Sequence, residues 1–350
     1  MNSTTNAPAP KYNRLKILGI ILTLGGIALF GYFIYAVGFR EIIDGISRFG
    51  SAGFAVILTI YFVRICARAF AWKLCIQTPN KLGMADTVPA VIIGEAMSST
   101  VPLGILISGT AKAIAVKRRV PLVVGLSSVA TENLFYSLIT GFFLITGAVL
   151  LLATTALDAS LSLTLYVMVG TLIVLTILGL LMVIRQWHFA SWLCNWVYSI
   201  GLLRGILNNG RHEVRRFEDL IYGFYRKYPG RFVPICLLEA SFHVLGVMET
   251  WFILSRIDSS LPGLTTAFLL ESVSRLLTVL FKMIPFNIGV DEAGAQFVGD
   301  AIALAAGVGV TLAIIRKGRI VFWTMVGLVL ALSRGISFRE LASRHISHRS

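Results

Sequence analysis

The chain of 350 residues is 56% hydrophobic and only 14% charged, with a formal net charge of +14. Soluble domains carry roughly a quarter charged residues, so these numbers exclude a soluble globular fold and leave one integral membrane domain. Lys and Arg gather in short polar gaps between apolar runs, a distribution that sets topology and meets anionic headgroups rather than nucleic acid.

In chain order, residues 1–16 form a polar start, read as disordered and cytoplasmic, that ends in Lys11, Arg14 and Lys16. The run Ile17–Val37 is 21 residues, about 31 Å as helix, with no Ala-x-Ala site after it. It reads as a spanning anchor rather than a cleaved signal. Gly38–Ser51 is a short outer segment with the look of an amphipathic surface turn, and 53–76 is a second span. Two arms follow, Val88–Val101 and Leu103–Val116, on either side of Pro102. Each is about 21 Å as helix, short of a hydrocarbon core of about 30 Å. Basic residues flank both arms (Lys81 before, Lys117-Arg118-Arg119 after), which predicts a re-entrant hairpin entered from the cytoplasmic side.

The apolar stretch 122–156 then goes out and 160–184 returns. Residues 185–231 are the largest polar insert. Trp187–Leu207 reads as an interfacial helix, and the basic part from Arg211 to Arg231 as a cytoplasmic loop. A span at 232–255 is followed by segments 263–283 and 292–315, a last span at 320–334 and a basic tail, 335–350. The expected fold is an all-α integral membrane protein of seven or eight hydrophobic segments plus re-entrant or broken helices. Both termini fall in the cytoplasm, and 263–315 reads either as a hairpin or as two full spans. The cysteines Cys66, Cys75, Cys194 and Cys236 lie in or beside apolar runs without metal-ligand spacing and read as packing residues.

The densest signal is Ile284-Pro285-Phe286-Asn287-Ile288-Gly289-Val290-Asp291-Glu292-Ala293-Gly294. Proline and glycine break a helix, and hydrocarbon cannot satisfy the backbone groups that a break frees. A carboxylate at mid-bilayer costs about 2.5–3.5 kcal/mol on insertion scales. Acids beside a break therefore read as a site. A span, a broken hairpin and a span occur twice, at 53–156 and 232–334, with a faint likeness between Val101-Pro102-Leu103-Gly104-Ile105 and Ile284-Pro285-Phe286-Asn287-Ile288. Interruptions at matching places in two halves point to inverted repeats. Against repeats, Arg316, Lys317 and Arg319 would then fall outside, contrary to the positive-inside rule.

Two blocks carry a resemblance to a family. One is Arg68-Ala69-Phe70-Ala71-Trp72-Lys73, then Pro102, Ser108-Gly109-Thr110-Ala111-Lys112 and Thr131-Glu132-Asn133-Leu134; the other is Pro285–Gly294 with Arg316 and Trp323. Together they organise most of residues 60–335. The chain resembles the membrane region of the lysylphosphatidylglycerol synthases, a flippase-like domain that also occurs without its catalytic partner. Family members typically carry Gly-Glu and an Arg after the first proline, and Glu-Arg with a nearby Asp in the next helix. Here Ser108-Gly109 with Lys112 and Glu132-Asn133 stand instead, a departure that bears on the headgroup more than on the fold. The chain ends soon after its last apolar run, without room for an aminoacyl-transferase domain. The resemblance thus implies lipid translocation in a bacterial inner membrane, with anionic or aminoacylated phospholipid, hopanoid or glycolipid as ligands and a lipid-biosynthesis enzyme as partner.

Helical spacing groups the candidate translocation residues. Arg64, Arg68 and Trp72 share a face, as do Ser128, Glu132 and Tyr136; so do Glu239 and His243, and so do Glu271, Arg275, Thr278 and Lys282. With Lys112, Pro285, Asp291, Glu292, Gln296 and Arg316 they could line a cavity open to one leaflet, where an Arg fork suits phosphate. Plainer roles compete: Arg64 and Arg68 as structural ion pairs with Glu95 or Glu132, Lys73 and Lys282 snorkelling to an interface, His243 as a packed, hydrogen-bonded residue. No nucleotide loop, Cys/His metal array or nucleophile elbow is present, so no cofactor is expected. Two further readings stay open. One is a scaffold recruiting lipid-synthesis partners through 208–231 and the tail. The other is an enzyme using Glu132, Glu239 and His243 as acid–base groups.

Overall fold

The computed structural model describes Tyr35 and residues 39–100, 104–155, 159–200, 204–257, 263–280, 289–301 and 307–334. The expected first span, Pro102, Lys282, Pro285 to Ile288 and the basic tail lie outside the described residues. Those described are all helix or loop, in an all-α arrangement.

Helix α1, Phe39–Cys75, is bent at Gly50, where φ is 67° and ψ 171°. Nothing stands within 4 Å of a Cβ added there, so the left-handed backbone rather than crowding calls for glycine. The segment expected as a surface turn is thus helical and runs straight into the second span. Helices α2 (Met84–Thr100) and α3 (Gly104–Ala115) correspond to the two short arms. They pack on one another through Gly94, whose Cβ would stand 3.1 Å from the Ser108 carbonyl oxygen. Helix α4, Leu122–Thr154, and α5, Ala159–Ile184, match the next two apolar runs. None of the apolar stretch Leu165–Ile184 is buried within the protein. Helix α5 packs mainly on α4, its side chains Tyr166, Val167, Val174 and Leu175 open to the surroundings.

The polar insert folds as two helices. Helix α6, Phe189–Ser199, exposes Phe189, Trp192 and Trp196. Helix α7, Arg204–Lys227, buries Glu218, Ile221, Tyr222 and Phe224 and exposes Arg215, Arg216, Arg226 and Lys227. The buried Glu218 caps α6 from the side: its carboxylate accepts from the amides of Ala190 (2.9 Å) and Ser191 (3.2 Å) and from the Ser191 hydroxyl. Four free N–H groups begin any helix, and here a neighbouring helix satisfies part of that need. Tyr228, Arg231 and Gln77 tie the pair to the end of α1.

Helix α8, Phe232–Ile257, lies at the centre, packed on α1, α4 and α9, Leu264–Leu280. Helices α10, Val290–Ala301, and α11, Val308–Ser333, complete the order. This last pair corrects the expected segments 292–315 and 320–334. Helix α11 begins after Gly307, at φ 80°, and Arg316, Lys317 and Arg319 sit inside it rather than between two segments. Acids on neighbouring helices neutralise them, so the helix need not end there. Among the described residues, four helices (Ile46–Cys75, Leu122–Thr154, Leu165–Ile184 and Pro229–Ile257) are long and apolar enough to cross a membrane.

Small residues set the closest approaches, as packing in membranes requires. A Cβ on Gly327 of α11 would stand 2.5 Å from that of Ala96 and 2.7 Å from the Ile92 carbonyl oxygen, both in α2. Gly327→Ala is expected to destabilise by about 1–3 kcal/mol, the usual range for overpacking. Thermal unfolding in detergent checks this against Gly179→Ala in α5, whose Cβ meets nothing within 4 Å and whose melting should hold or rise.

Candidate functional site

The polar faces anticipated from spacing turn toward each other. On α1, Tyr61, Arg64, Arg68 and Trp72 recur every three or four residues and form one stripe. On α4, Ser128, Glu132, Tyr136 and Thr140 do the same, and Trp72 Nε1 donates to Ser128 Oγ at 2.9 Å, fixing the register of the two stripes. Helix α8 adds Glu239, Phe242, His243 and Glu249; α9 adds Glu271 and Arg275; α11 adds Arg316, Lys317 and Arg319.

Three charge groups result. In the first, Glu132 accepts from Arg68 Nε (3.1 Å) and Nη2 (2.7 Å) on one oxygen and from Lys112 Nζ (3.4 Å) on the other. Glu95 stands 3.9 Å from Arg68 and accepts from the Tyr61 hydroxyl at 2.8 Å. In the second, Glu249 holds Arg64 at 2.9 Å together with Arg319, while Glu271 holds Arg275 at 3.1 Å, Arg64 at 3.5 Å and Arg316. Gly246 leaves room for this group, since its Cβ would meet Arg64 Nη2 at 2.9 Å. In the third, Glu292 lies 2.8 Å from Lys317 Nζ and accepts the Gly289 amide at 2.8 Å, so it caps the start of α10; Asp291 is 3.9 Å from the same lysine.

Aromatic rings join the first two groups. The guanidiniums of Arg64, Arg68 and Arg275 lie 4.3, 5.5 and 5.2 Å from the Phe242 centroid, and Arg68 also covers Tyr136 at 4.4 Å. Arg319 covers Tyr61 at 4.1 Å. Cation–π contact gains strength where water is excluded, so these rings hold like charges near one another.

A cavity of about 830 Å³ opens between the groups, within the usual range for a ligand site. Of the anticipated residues, Arg68, Lys112, Glu271, Arg275, Asp291 and Arg316 line it. Arg64, Glu132, Glu239, His243 and Glu292 are not on its wall; they stand behind it, buried. His243 is packed, its Nε2 3.0 Å from Thr140 Oγ1 and its ring stacked between Phe143 and Tyr136. Pro285 is outside the described residues. The partners expected for the arginines hold for Arg68, which takes both Glu132 and Glu95. Arg64 instead reaches Glu249 and Glu271.

The lining carries five cations, Arg68, Lys112, Arg275, Arg316 and Arg319, against three acids, Glu95, Glu271 and Asp291. Its outer wall is apolar, from Leu172, Leu175, Leu180 and Val183 of α5. Sequence reasoning passed over Glu249 and left Arg319 in the gap between the segments 292–315 and 320–334. The signal for Glu249 was available, because it is an acid deep in the apolar run of α8 and the rule that singled out Glu239 applies equally.

A model of the lysylphosphatidylglycerol synthase transmembrane region matches residues 16–331. The chain belongs to that family. It is a membrane-embedded, multi-pass protein of the lysylphosphatidylglycerol synthase transmembrane-region kind, related to lipid synthesis or flipping. No curated protein and no solved structure matches it. As in any membrane protein, removing one member of a buried ion pair leaves a charge without compensation. Glu249→Leu strands Arg319 and weakens the hold on Arg64, and is expected to cost about 3–5 kcal/mol. Arg275→Gln should cost far less, because Glu271 keeps Arg64 and Arg316. Denaturant or thermal unfolding of the two variants in one detergent compares them.

Proposed function

We propose that this protein moves a lipid between leaflets, its anionic headgroup passing through the central cavity while the acyl chains stay against α5. The observation that carries this is the composition of the cavity wall. Cations outnumber acids there, Glu132 and Glu249, which hold Arg68, Lys112 and Arg319, sit behind the wall, and one flank is apolar. Guanidinium forks match phosphate oxygens two at a time. A headgroup entering the cavity exchanges its hydration for fixed donors, which lowers the barrier that hydrocarbon imposes on charge. Phospholipids with a net negative headgroup fit the lining better than neutral ones.

The acid–base reading draws less support. Glu132 accepts from two cations, His243 is bound to Thr140, and neither faces the cavity. The scaffold reading rests on the exposed basic face of α7, which any anionic surface would also fit. Topology with both termini in the cytoplasm of a bacterial inner membrane belongs to the same proposal, as does a non-enzymatic role.

Purified protein in liposomes containing fluorescent phosphatidylglycerol or fluorescent phosphatidylcholine tests it. Wild type should render the outer-leaflet fraction of phosphatidylglycerol kinetically indistinct from the inner, with slower exchange of phosphatidylcholine. Arg275→Gln should slow phosphatidylglycerol about tenfold or more, the equivalent of one charge-assisted hydrogen bond of about 1.5–3 kcal/mol. Background rates for both lipids with folded wild type would reject translocation.

A further inference from the structure

Glu239 differs from every other acid in the charge groups. It is fully buried, and among the described residues neither of its carboxylate oxygens has a hydrogen-bond partner. Among the described residues no cation stands within ion-pair distance of it. Glu132, Glu249, Glu271 and Glu292 each hold at least one Arg or Lys. A carboxylate left alone in a dry interior is costly as an anion, and taking up a proton removes that cost.

Its surroundings say what the proton answers to. The charges whose fields reach Glu239 are Glu132 on α4, Arg68 on α1 and Lys112 on α3. The field of Glu239 in turn reaches Cys236, one turn earlier on α8, and Cys75 at the end of α1, which also feels Arg231, and His243 follows one turn later on α8. On the side of α9 and α11, the field of Arg275 falls on His243, and Arg316 and Arg319 face Glu249 and Glu271. Arg68 and Lys112 are therefore shared. Both line the cavity and both hold Glu132, and the fields of both reach Glu239.

We infer that Glu239 is a proton-binding site coupled to the cavity, so that an anionic headgroup and a proton are taken up together. The inference rests on the headgroup reading above, but on binding rather than on movement. An anion drawn to Arg68 and Lys112 cancels the positive field that favours the Glu239 carboxylate. Negative charge added nearby makes the proton easier to hold. Reciprocity follows: a protonated Glu239 leaves Arg68 and Lys112 less engaged and binds the anion more tightly. No bond is made or broken beyond the O–H of Glu239, and the proton comes from water. If the protein moves lipid between leaflets, this linkage makes a proton gradient able to bias the direction.

The test measures binding of short-chain phosphatidylglycerol to the full-length protein in detergent between about pH 8 and about pH 5, with short-chain phosphatidylcholine alongside. Wild type should bind phosphatidylglycerol more tightly as pH falls, by up to about tenfold per pH unit, the limit for one linked proton. Glu239→Gln should bind it with no slope, at the affinity wild type reaches at low pH. Should that variant fold poorly, proton uptake by wild type alone decides. Adding phosphatidylglycerol in weak buffer should withdraw protons from solution, whereas phosphatidylcholine should not. A flat wild-type profile, an unchanged slope in Glu239→Gln, or no proton uptake overturns the inference. Absence of phosphatidylglycerol binding at every pH overturns it together with the headgroup reading. A pH-linked affinity without any lipid translocation in liposomes upholds it and removes only the translocation proposal.

Discussion

The protein places its guanidiniums in a membrane region, and each must find an acid there or cost several kcal/mol. That constraint organises the molecule. Glu132, Glu249 and Glu271 each bind cations from more than one helix, so helices far apart in the chain are drawn to a common centre. Arg64 and Glu249 are separated by 185 residues, yet their pair fixes α1 against α8. Glu132 and Glu249 lie behind the cavity wall, and this placement matters for function as well as folding. It leaves the cationic ends of Arg68, Lys112, Arg275, Arg316 and Arg319 turned to one cavity.

The aromatic residues serve the same end. Like charges do not gather unaided, and here Phe242, Tyr61 and Tyr136 offer ring faces to four guanidiniums. Glycines carry the remaining load. Gly246 makes room for the Arg64–Glu271 contact, and Gly94 and Gly327 allow α2 to sit close between α3 and α11. The outer helix α5 adds nothing to the charge groups and supplies an apolar wall, which is the arrangement a two-part lipid needs.

Much of this was legible in the residues. The apolar runs at 122–156, 160–184 and 232–255 end within a few residues of the helices found, because an uninterrupted hydrophobic stretch admits few alternatives. Spacing put Arg64 with Arg68, Glu132 with Tyr136 and Glu271 with Arg275 on shared faces, since a helix leaves no choice about neighbours at i+4. Two things were hidden. Arg316, Lys317 and Arg319 resemble a polar loop when read alone, and only the acids Glu249, Glu271 and Glu292 on other helices make a helix through them tolerable. The partner of Arg64 was hidden for the same reason: pairing at long chain separation depends on how helices are arranged, which no local pattern encodes. Glu292, the residue most singled out by the broken segment, turns out to cap a helix and hold Lys317, while its neighbour Asp291 reaches the cavity.

The central claim is that these charges border a cavity open to water and headgroups, not a sealed ionic core. Cysteine accessibility reads this most directly. In a background without Cys66, Cys75, Cys194 and Cys236, Ser274→Cys on the cavity wall and Val174→Cys on the outer face of α5 are treated with an anionic, membrane-impermeant thiol reagent. The cavity predicts modification at position 274 in the native protein, slowed by phosphatidylglycerol, and little at 174 in liposomes. Modification at 274 only after unfolding would contradict it and return the arginines to a purely structural role.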